Sequence, residues 1–431
     1  MTTATTPSSL WRSPRYLIWL ASDTSKGLAA ALFGFAVPLL ALIVTDDPAQ
    51  AGIIGGAGMV AKVVFTLAGG ILADRHARID LMIVGSLLGV LLAGAFTVLA
   101  LADALTFTTL LIANVLLAAR SGVFDVAGES AIKEIVPDDA MGRAQAANQG
   151  RDAALQLAGG PLGGLLLSLG GWAIGAAMTL CQFVAGATAW MLRRGEPAAS
   201  DPPAELDDRE GDAPATPASA WSELREGFSW LLSRPDLGGV LLTVTVINLG
   251  FNAAITTVIY ALQQAGHSEV LIGTLGAAVG AIMLGGAIVA PLLVPRFGAG
   301  AIAIAGLATA TVGTVVLCWV DQPWGIVAVL GASVLLLPAL NAGMMGYFMV
   351  ATPSRLLGRA NSAAGVLAMG ALPLAPLVAG FGLAWLGREG TLLVCAGLCL
   401  ASVALAVGNR ALRALPVESR WAEHAKRYES A

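Results

Sequence analysis

Long apolar stretches alternate with short polar ones along almost the whole chain. Most of these stretches reach the roughly 20 residues that a helix needs to cross the hydrocarbon core of a bilayer. The pattern therefore predicts an all-α integral membrane protein with twelve transmembrane helices. The predicted spans lie near residues 16–44, 51–73, 79–102, 107–131, 143–167, 171–192, 237–262, 270–294, 299–320, 324–350, 358–384 and 390–408.

The apolar pattern stops between the sixth and seventh spans. Residues 195–218 are rich in Pro, Ala and acidic residues and cannot bury a core, so we expect a flexible linker. Beyond it, apolar residues at helical spacing predict an amphipathic helix, with a face formed by Trp221, Leu224, Phe228, Leu231 and Leu232. The predicted domains are an N-terminal six-helix bundle (1–192), a cytoplasmic linker with this helix (193–236), a C-terminal six-helix bundle (237–408) and a cytoplasmic tail (409–431).

The composition agrees with a membrane protein. Hydrophobic residues make up 57% of the chain and charged residues only 12%, about half of what a soluble protein carries. Mean hydropathy is +0.78. These values exclude a soluble enzyme, a nucleic-acid-binding protein and a disordered protein. The four cysteines lie in apolar runs without the spacing of a disulfide framework or a zinc site, so no metal is expected.

The distribution of Lys and Arg orients the spans. If the N-terminus is cytoplasmic, the inside segments hold nineteen of the 24 basic residues, and the outside loops hold only Arg388. By the positive-inside rule, both termini are then cytoplasmic. We expect a multi-pass membrane protein in contact with lipid.

Seven charged residues lie well inside the predicted spans, away from the span ends, all in the first half: Asp23, Lys26, Lys62, Arg120, Asp125, Arg151 and Asp152. A charged side chain at bilayer depth costs roughly 2.5–3.5 kcal/mol, so seven of them indicate a function or an ion-pair network. For Arg151 and Asp152 both interpretations stay open, since permanent salt bridges that fix helix packing explain them equally well. We interpret the other five as cavity charges that serve proton coupling.

Spacing along the helices suggests how these charges pair. Asp23 and Lys26 are three residues apart and share a helix face, so we expect an ion pair. Asp125 and Glu129 share a face as two acids. Arg120 does not share a face with Asp125, so we expect it to reach another partner, with Asp23 as the candidate. Asp23 is the first candidate to exchange a proton, and Asp125 the second.

The second half offers uncharged groups instead. Asn248, Asn252 and Asn341 supply hydrogen-bonding side chains, and Met345 and Phe348 supply soft apolar surface suited to an amphipathic organic substrate. Ordinary helix packing is an equally good explanation for any one of these residues.

The chain also repeats itself. Pro137, Gly142 and Arg143 recur as Pro353, Gly358 and Arg359, 216 residues later, which is about half the chain. This offset favours two six-helix halves produced by duplication, a known transporter architecture.

The segment from Gly70 to Arg78 resembles the Gly-x-Leu-Ala-Asp-Arg-x-Gly-Arg signature loop of the major facilitator superfamily. The resemblance implies a gating loop formed by Gly70, Asp74, Arg75 and Arg78. Gly70 would allow close helix approach, and Asp74 would meet the start of helix eleven near Gly358. It also implies that helices one, two, four and five surround the cavity.

Within the superfamily, the chain resembles bacterial exporters of the macrolide-efflux and enterobactin-export type, which implies a place in the bacterial inner membrane. The similarity rests on Arg120, Pro137, Asn148 and a segment similar to the antiporter motif of helix five. That segment contains Gly160, Pro161, Gly163 and Gly164.

These observations predict proton-coupled efflux of an amphipathic organic compound, such as an antibiotic, a drug or a siderophore, by alternating access. The alternative is an importer or uniporter of a polar or anionic metabolite, whose charge Lys26, Lys62 and Arg120 would bind. We expect no enzymatic activity, no nucleic-acid partner and no cofactor, since the proton gradient supplies the energy. We expect a monomer.

Overall fold

The structure is a computed structural model that describes residues 10–137, 140–194, 220–353 and 356–429. Within these ranges the regular structure is entirely helical. The α-helices are α1 (Pro14–Thr45), α2 (Pro48–Arg75), α3 (Arg78–Leu101), α4 (Phe107–Ile135), α5 (Met141–Ser168), α6 (Gly171–Arg194), α7 (Ala220–Ser233), α8 (Pro235–Gln264), α9 (Glu269–Leu293), α10 (Ala299–Val316), α11 (Pro323–Val334), α12 (Leu337–Ala351), α13 (Leu357–Gly370), α14 (Leu374–Gly408), α15 (Arg410–Arg413) and α16 (Trp421–Glu429).

Local sequence signals explain where the first helices begin and end. Ser13 caps α1 by accepting from the backbone N–H of Tyr16. The same helix ends at Asp46, whose φ of 50° lies in the left-handed region. Asp47 then caps α2 by accepting from the N–H of Ala49 at 2.8 Å. Only two residues separate α1 from α2, so the two helices must run antiparallel.

Among the described residues, ten helical stretches are long and apolar enough to cross a membrane. Large apolar side chains are exposed on them, among them Leu91, Ile288 and Trp385, and such surface is stable in lipid but not in water. Polar residues and glycines keep α5 from being one of the ten. The stretch Leu357–Gly408 has 52 residues, more than one crossing requires, and is interrupted at Gly387, whose φ is 67°.

These findings confirm an all-helical membrane fold with about ten apolar spans, and twelve crossings remain a prediction. Two predicted spans are broken in the structure. The span predicted at 324–350 consists of α11 and α12, and the span predicted at 358–384 consists of α13 and the first part of α14. Prolines at Pro338 and Pro373 lie at these breaks, because proline cannot donate to the helical ladder.

The chain forms two compact units. The first contains Met1–Ser200 and Ile259–Ala277, and the second contains Asp201–Val258 and Ala278–Ala431. The end of α8 and the start of α9 therefore belong to the first unit, although the predicted halves place them in the second. In that unit Gln263 of α8 donates to the carbonyl of Leu39 on α1 at 2.9 Å.

In the first unit, α2 packs mainly on α4, and α3 packs mainly on α6. Helix α1 lies against both α5 and α6. A core cluster between these helices contains Tyr16, Trp19 and Met82, each almost fully buried. This packing gives α1, α2, α4 and α5 a shared inner side.

In the second unit, α10 packs on α14, and α7 packs on α13. The predicted linker 195–218 lies outside the described residues, but the amphipathic helix that follows it is present as α7. The side chains of Trp221 and Leu224 also lie outside the described part. Leu231 is fully buried while its neighbour Leu232 is 67% exposed, so the protein itself covers only the first of these two side chains. Contact of this face with the membrane surface or the bundle stays a prediction.

The tail after α14 is folded against the second unit. The backbone N–H of Ala299 donates to the carbonyl of Pro416 at 3.1 Å, which ties the tail to the start of α10. Helix α16 is held on α12 by the ring of Trp421, which meets that of Tyr347 edge-on at 6.5 Å. The C-terminal segment therefore forms part of the second unit.

Candidate functional site

A charged cavity of about 750 Å³ lies among α1, α2, α4 and α5 of the first unit. Neither α3 nor α6 contributes to its lining. Four acids and four bases line it, so its formal charge is balanced when all are ionised: Asp23, Asp125, Glu129, Asp152, Lys26, Lys62, Lys133 and Arg151. Of the five predicted cavity charges, only Arg120 is absent from this lining.

Asp23 is the centre of an ion-pair cluster in this cavity. Its carboxylate lies 3.4 Å from the ammonium of Lys26 and 2.8 Å from the guanidinium of Arg151. Arg151 also pairs with Asp152 at 2.8 Å. The predicted Asp23–Lys26 pair is therefore present, and Arg151 on α5 is a further partner of Asp23 that helical spacing could not reveal.

The cluster is mostly shielded from water. Exposed fractions of the side chains are 11% for Asp23, 5% for Lys26 and 15% for Arg151. At such burial, removing one partner leaves an uncompensated charge and is strongly destabilising. The guanidinium of Arg151 also lies 5.9 Å from the ring of Trp19, within the range of a cation–π interaction.

Helix α4 makes room for the cluster at Gly128. A Cβ added there would collide with the ammonium of Lys26 and come within 3.0 Å of the carboxylate of Asp23. The carbonyl of Gly128 accepts from the indole N–H of Trp19 at 3.0 Å. The absent side chain thus lets the Asp23–Lys26 pair lie directly on α4.

Arg120 occupies a different position from the one expected. It is buried where α3, α4 and α6 meet, and it donates to the carbonyl of Gly85 at 2.8 Å and to Gln182 at 3.0 Å. Its guanidinium is 3.6 Å from Asp125. The expectation that Arg120 turns away from Asp125 toward Asp23 is wrong, because a long flexible side chain can bridge positions on different helix faces.

The remaining cavity charges differ in how they are held. Asp125 accepts from the hydroxyl of Ser121, in addition to its contact with Arg120. Lys62 and Glu129 are exposed to the cavity, and neither forms an ion pair within the described part of the chain. Together with Lys133, which is also exposed and lines the cavity, these two are accessible to a ligand or to water.

The predicted gating loop joins α2 to α3. Arg78 pairs with Glu134 at 3.0 Å and donates to the carbonyl of Ser130 at 3.2 Å, so it fastens α3 to the end of α4. Arg75 is exposed. The side chain of Asp74 lies outside the described part of the structure, so its expected contact near Gly358 stays a prediction.

The close helix approach expected at Gly70 occurs one residue earlier. A Cβ on Gly70 would meet nothing within 4 Å, whereas a Cβ on Gly69 would lie 2.5 Å from the carbonyl oxygen of Gly122 and 2.6 Å from that of Val123. Gly69 therefore faces α4, and Gly70 does not. The family motif marked the right turn of the helix but the wrong glycine.

The glycines of helix five form two packing faces. A Cβ on Gly163 would lie 2.7 Å from the ring of Phe35, so this face of α5 fits α1. A Cβ on Gly160 would lie 2.6 Å from the carbonyl oxygen of Gly273, and Gly164 faces the backbone of Glu269. Pro161 lies within the helix between these contacts. The motif thus allows α5 to contact α1 and the start of α9 within the first unit.

The second unit contains an apolar cavity of about 380 Å³ among α8, α12 and α13. Met345, Phe348 and Asn341, the candidates for a substrate cavity, line it, and their contact with a substrate stays a prediction. Leu231 of α7 and Leu415 of the tail also line it, and both lie in segments that the sequence suggested were outside the bundle.

Asn248 and Asn252 are used at least partly for packing. Asn248 lines a smaller cavity of about 90 Å³, which Asn341 also lines, and donates to the carbonyl of Ala368 at 2.9 Å. Asn252 donates to the carbonyl of Asn248 at 2.8 Å and lines none of these three cavities. Among the described residues there is no cluster of three or more His, Cys, Asp or Glu that could hold a metal ion.

Comparison with known proteins identifies the family and the fold. The family model described as Major Facilitator Superfamily matches residues 25–370. No curated protein matches the chain. A bacterial homologue of the iron transporter ferroportin, in an inward-facing state, superposes with a TM-score of 0.68 at 15% identity, covering 93% of this chain and 99% of that one.

Two further solved structures are similar. A bacterial homologue of the human lysosomal transporter Spinster gives a TM-score of 0.66 at 15% identity, covering 96% of this chain and 98% of that one. The nucleoside transporter NupG gives 0.66 at 12% identity, covering 92% and 99%. At such low identity these similarities establish the fold alone.

Proposed function

We propose that this chain, which belongs to the Major Facilitator Superfamily, exports an amphipathic organic compound across the bacterial inner membrane in exchange for protons. The fold is that of a multi-pass membrane transporter. Twelve crossings with both termini in the cytoplasm are part of the proposal. The energy comes from the proton gradient, and no cofactor takes part.

The observation that carries the proposal is the charged cavity of the first unit. Eight ionisable side chains around about 750 Å³ would be very costly in a membrane bundle that served only as a scaffold. Two of these side chains, Lys62 and Glu129, are open to the cavity and form no ion pair among the described residues. Proton exchange requires ionisable groups that water can reach, and this cavity provides them.

The apolar cavity of the second unit supports an amphipathic substrate. Methionine and aromatic side chains adapt to varied apolar shapes, and Asn341 provides a hydrogen-bonding group among them. A substrate that was polar throughout would gain little from such a lining. This contrast favours a drug-like or siderophore-like compound over a small sugar or amino acid.

The second candidate is uptake of an anionic metabolite. Lys62 favours it, because its ammonium faces the cavity without an ion pair in the described part of the chain. The balance of four acids and four bases argues against a purely anionic ligand, since it leaves no net positive charge to attract one.

The direction of transport can be tested with a fluorescent amphipathic dye in cells with and without the protein. We expect expressing cells to retain less dye, and we expect the difference to vanish when a protonophore collapses the proton gradient. Greater dye retention in expressing cells would indicate uptake, and exclusion that survives the protonophore would contradict proton coupling. Cells with empty vector control for endogenous exporters.

A further inference from the structure

The four acids of the charged cavity are not equally free to exchange a proton. Asp23 is held by two cations, at 3.4 and 2.8 Å. Asp152 is held by Arg151 at 2.8 Å. Asp125 has the hydroxyl of Ser121 and, at 3.6 Å, the guanidinium of Arg120. Each of these carboxylates has a defined partner.

Glu129 differs from all three. It lines the cavity, its side chain is exposed there, and it forms no ion pair within the described ranges of the chain. It lies on α4 directly after Gly128, the position on which the Asp23–Lys26 pair rests. Glu129 is therefore next to the ion-pair cluster but not part of it.

The charges around Glu129 come from every helix that surrounds the cavity. Asp23 and Lys26 of α1, Asp125 of its own helix and Asp152 of α5 interact with it electrostatically. The other cations of the cavity are Arg151 of α5, held by Asp23 and Asp152, and Lys62 of α2 and Lys133 of α4, which line the same space.

Helix α3, which does not line the cavity, offers no partner for Glu129 among the described residues. Arg78, at the start of α3, is engaged with Glu134 and with the carbonyl of Ser130. Three carboxylates thus interact with Glu129, and the ammonium of Lys26 that also does so already pairs with Asp23. Lys62 and Lys133 line the same cavity but form no ion pair with Glu129 in the described part of the chain.

This arrangement determines which acid can be protonated with the smallest loss of electrostatic stabilisation. Protonating Asp23 would leave the largely buried Lys26 without its counter-charge and Arg151 with Asp152 alone. Protonating Asp152 would weaken the hold on Arg151. Protonating Glu129 breaks no ion pair, and its exposure to the cavity gives water direct access to the carboxylate.

We propose that Glu129 is the carboxyl group that takes up and releases the coupling proton, while the Asp23–Lys26–Arg151 cluster keeps its charges throughout. The proton comes from water on one side of the membrane, forms the O–H bond of the Glu129 carboxyl, and returns to water on the other side. The inference rests on the proposed proton-coupled transport. It makes Glu129, instead of Asp23, the first candidate for proton exchange.

One test does not depend on knowing the substrate. Dicyclohexylcarbodiimide is an apolar reagent that requires a protonated carboxyl group, whose O–H adds across its C=N bond. Purified protein in detergent is treated with it, and the modified residue is identified by peptide mass spectrometry. We expect modification at Glu129 and little at Asp23, Asp125 or Asp152. Modification of Asp23 with Glu129 unmodified would overturn the inference.

The second test measures coupling in proteoliposomes, with ethidium as the probe. Glu129→Gln should exchange ethidium down its own gradient at the wild-type rate but lose the accumulation driven by a pH gradient. The matched control is Glu389→Gln, which alters an exposed Glu of the second unit that lines none of the described cavities, and it should keep full accumulation. Full gradient-driven accumulation by Glu129→Gln would also overturn the inference.

The two tests separate this inference from the proposed function. If wild-type protein moves no ethidium but Glu129 is modified by the carbodiimide, the inference that Glu129 exchanges a proton stands, and export of this class of compound is contradicted. If ethidium is transported by the pH gradient and the modified residue is another acid, the proposed function stands and Glu129 is excluded.

Discussion

Two adjacent glycines near the end of α2 should respond oppositely to the same substitution. Gly69→Ala adds a methyl group 2.5 and 2.6 Å from the carbonyl oxygens of Gly122 and Val123, whereas Gly70→Ala adds one with no atom within 4 Å. Both changes replace glycine by alanine inside a helix. The gain in helix propensity is therefore the same for both variants. The difference between their stabilities measures the contact between α2 and α4 alone.

The magnitudes follow from these distances. Alanine gains about 0.8–1.0 kcal/mol over glycine in a helix interior, so Gly70→Ala should stabilise the protein by up to about 1 kcal/mol. At Gly69 the methyl would lie about 0.9 Å inside ordinary contact distance. The obstacle is backbone, which cannot rotate away, so the cost should reach the upper part of the roughly 1–3 kcal/mol range for overpacking. We expect Gly69→Ala to destabilise by about 2 kcal/mol, and the two variants to differ by about 3 kcal/mol.

Both variants and the wild type would be purified in one detergent and unfolded with increasing dodecyl sulfate, with helix content followed by circular dichroism. Gly122→Ala provides the reciprocal control, because its methyl would lie 2.7 Å from the carbonyl oxygen of Lys62 and should destabilise in the same way. Equal stabilities of Gly69→Ala and Gly70→Ala would refute the close approach at Gly69. A Gly70→Ala variant that alone loses stability would restore the interpretation based on the sequence motif.

Three further predictions concern the ion pairs and the orientation in the membrane. Asp23→Asn should destabilise the first unit by about 3 kcal/mol, because it leaves Lys26 without a carboxylate and Arg151 with Asp152 alone. Thermal unfolding in detergent measures this, and an unchanged midpoint would mean that water replaces the lost charge. Glu226→Gln removes the carboxylate that pairs with Arg359 at 2.6 Å. Because both side chains are well exposed, overall stability should change by less than about 1 kcal/mol, while amide exchange in α7 becomes faster. Protection of the α7 amides equal to wild type would show that apolar packing alone holds this helix. A cysteine placed within 195–218 should react with an impermeant maleimide only from the cytoplasm, and a cysteine replacing Gln322 should react only from outside. The reverse pattern would contradict the orientation derived from the positive charges.

The helices and several of their boundaries follow from the sequence because their causes are local. The apolar stretch before Asp46 and the cap at Asp47 are visible in the residues themselves, and the first two helices begin and end there. The pair formed by Asp23 and Lys26 is also local, since three residues of helix place two side chains on one face. The hydropathy of a stretch depends only on its own residues and not on the helices it packs against. Membrane spans can therefore be recognised directly from the sequence.

The contents of the charged cavity could be predicted only in part. The sequence identified four of its eight charges as functional candidates and suggested the helices that surround it, but it ranked Asp23 above Glu129 for proton exchange. That ranking used spacing within α1. The deciding contact is with Arg151, which is far away in sequence and reaches Asp23 only because α5 packs on α1.

The sequence by itself thus determined that the chain is a helical membrane protein, where most helices begin and end, and that charges concentrate in its first half. Only the tertiary structure decided which of two neighbouring glycines touches α4, that Arg120 is used in packing α3, α4 and α6, and that no described residue forms an ion pair with Glu129. The physical reason is that hydrophobicity and capping act between residues a turn or two apart. A contact between helices depends on the rotation of each helix about its axis, and no single stretch of sequence specifies that rotation.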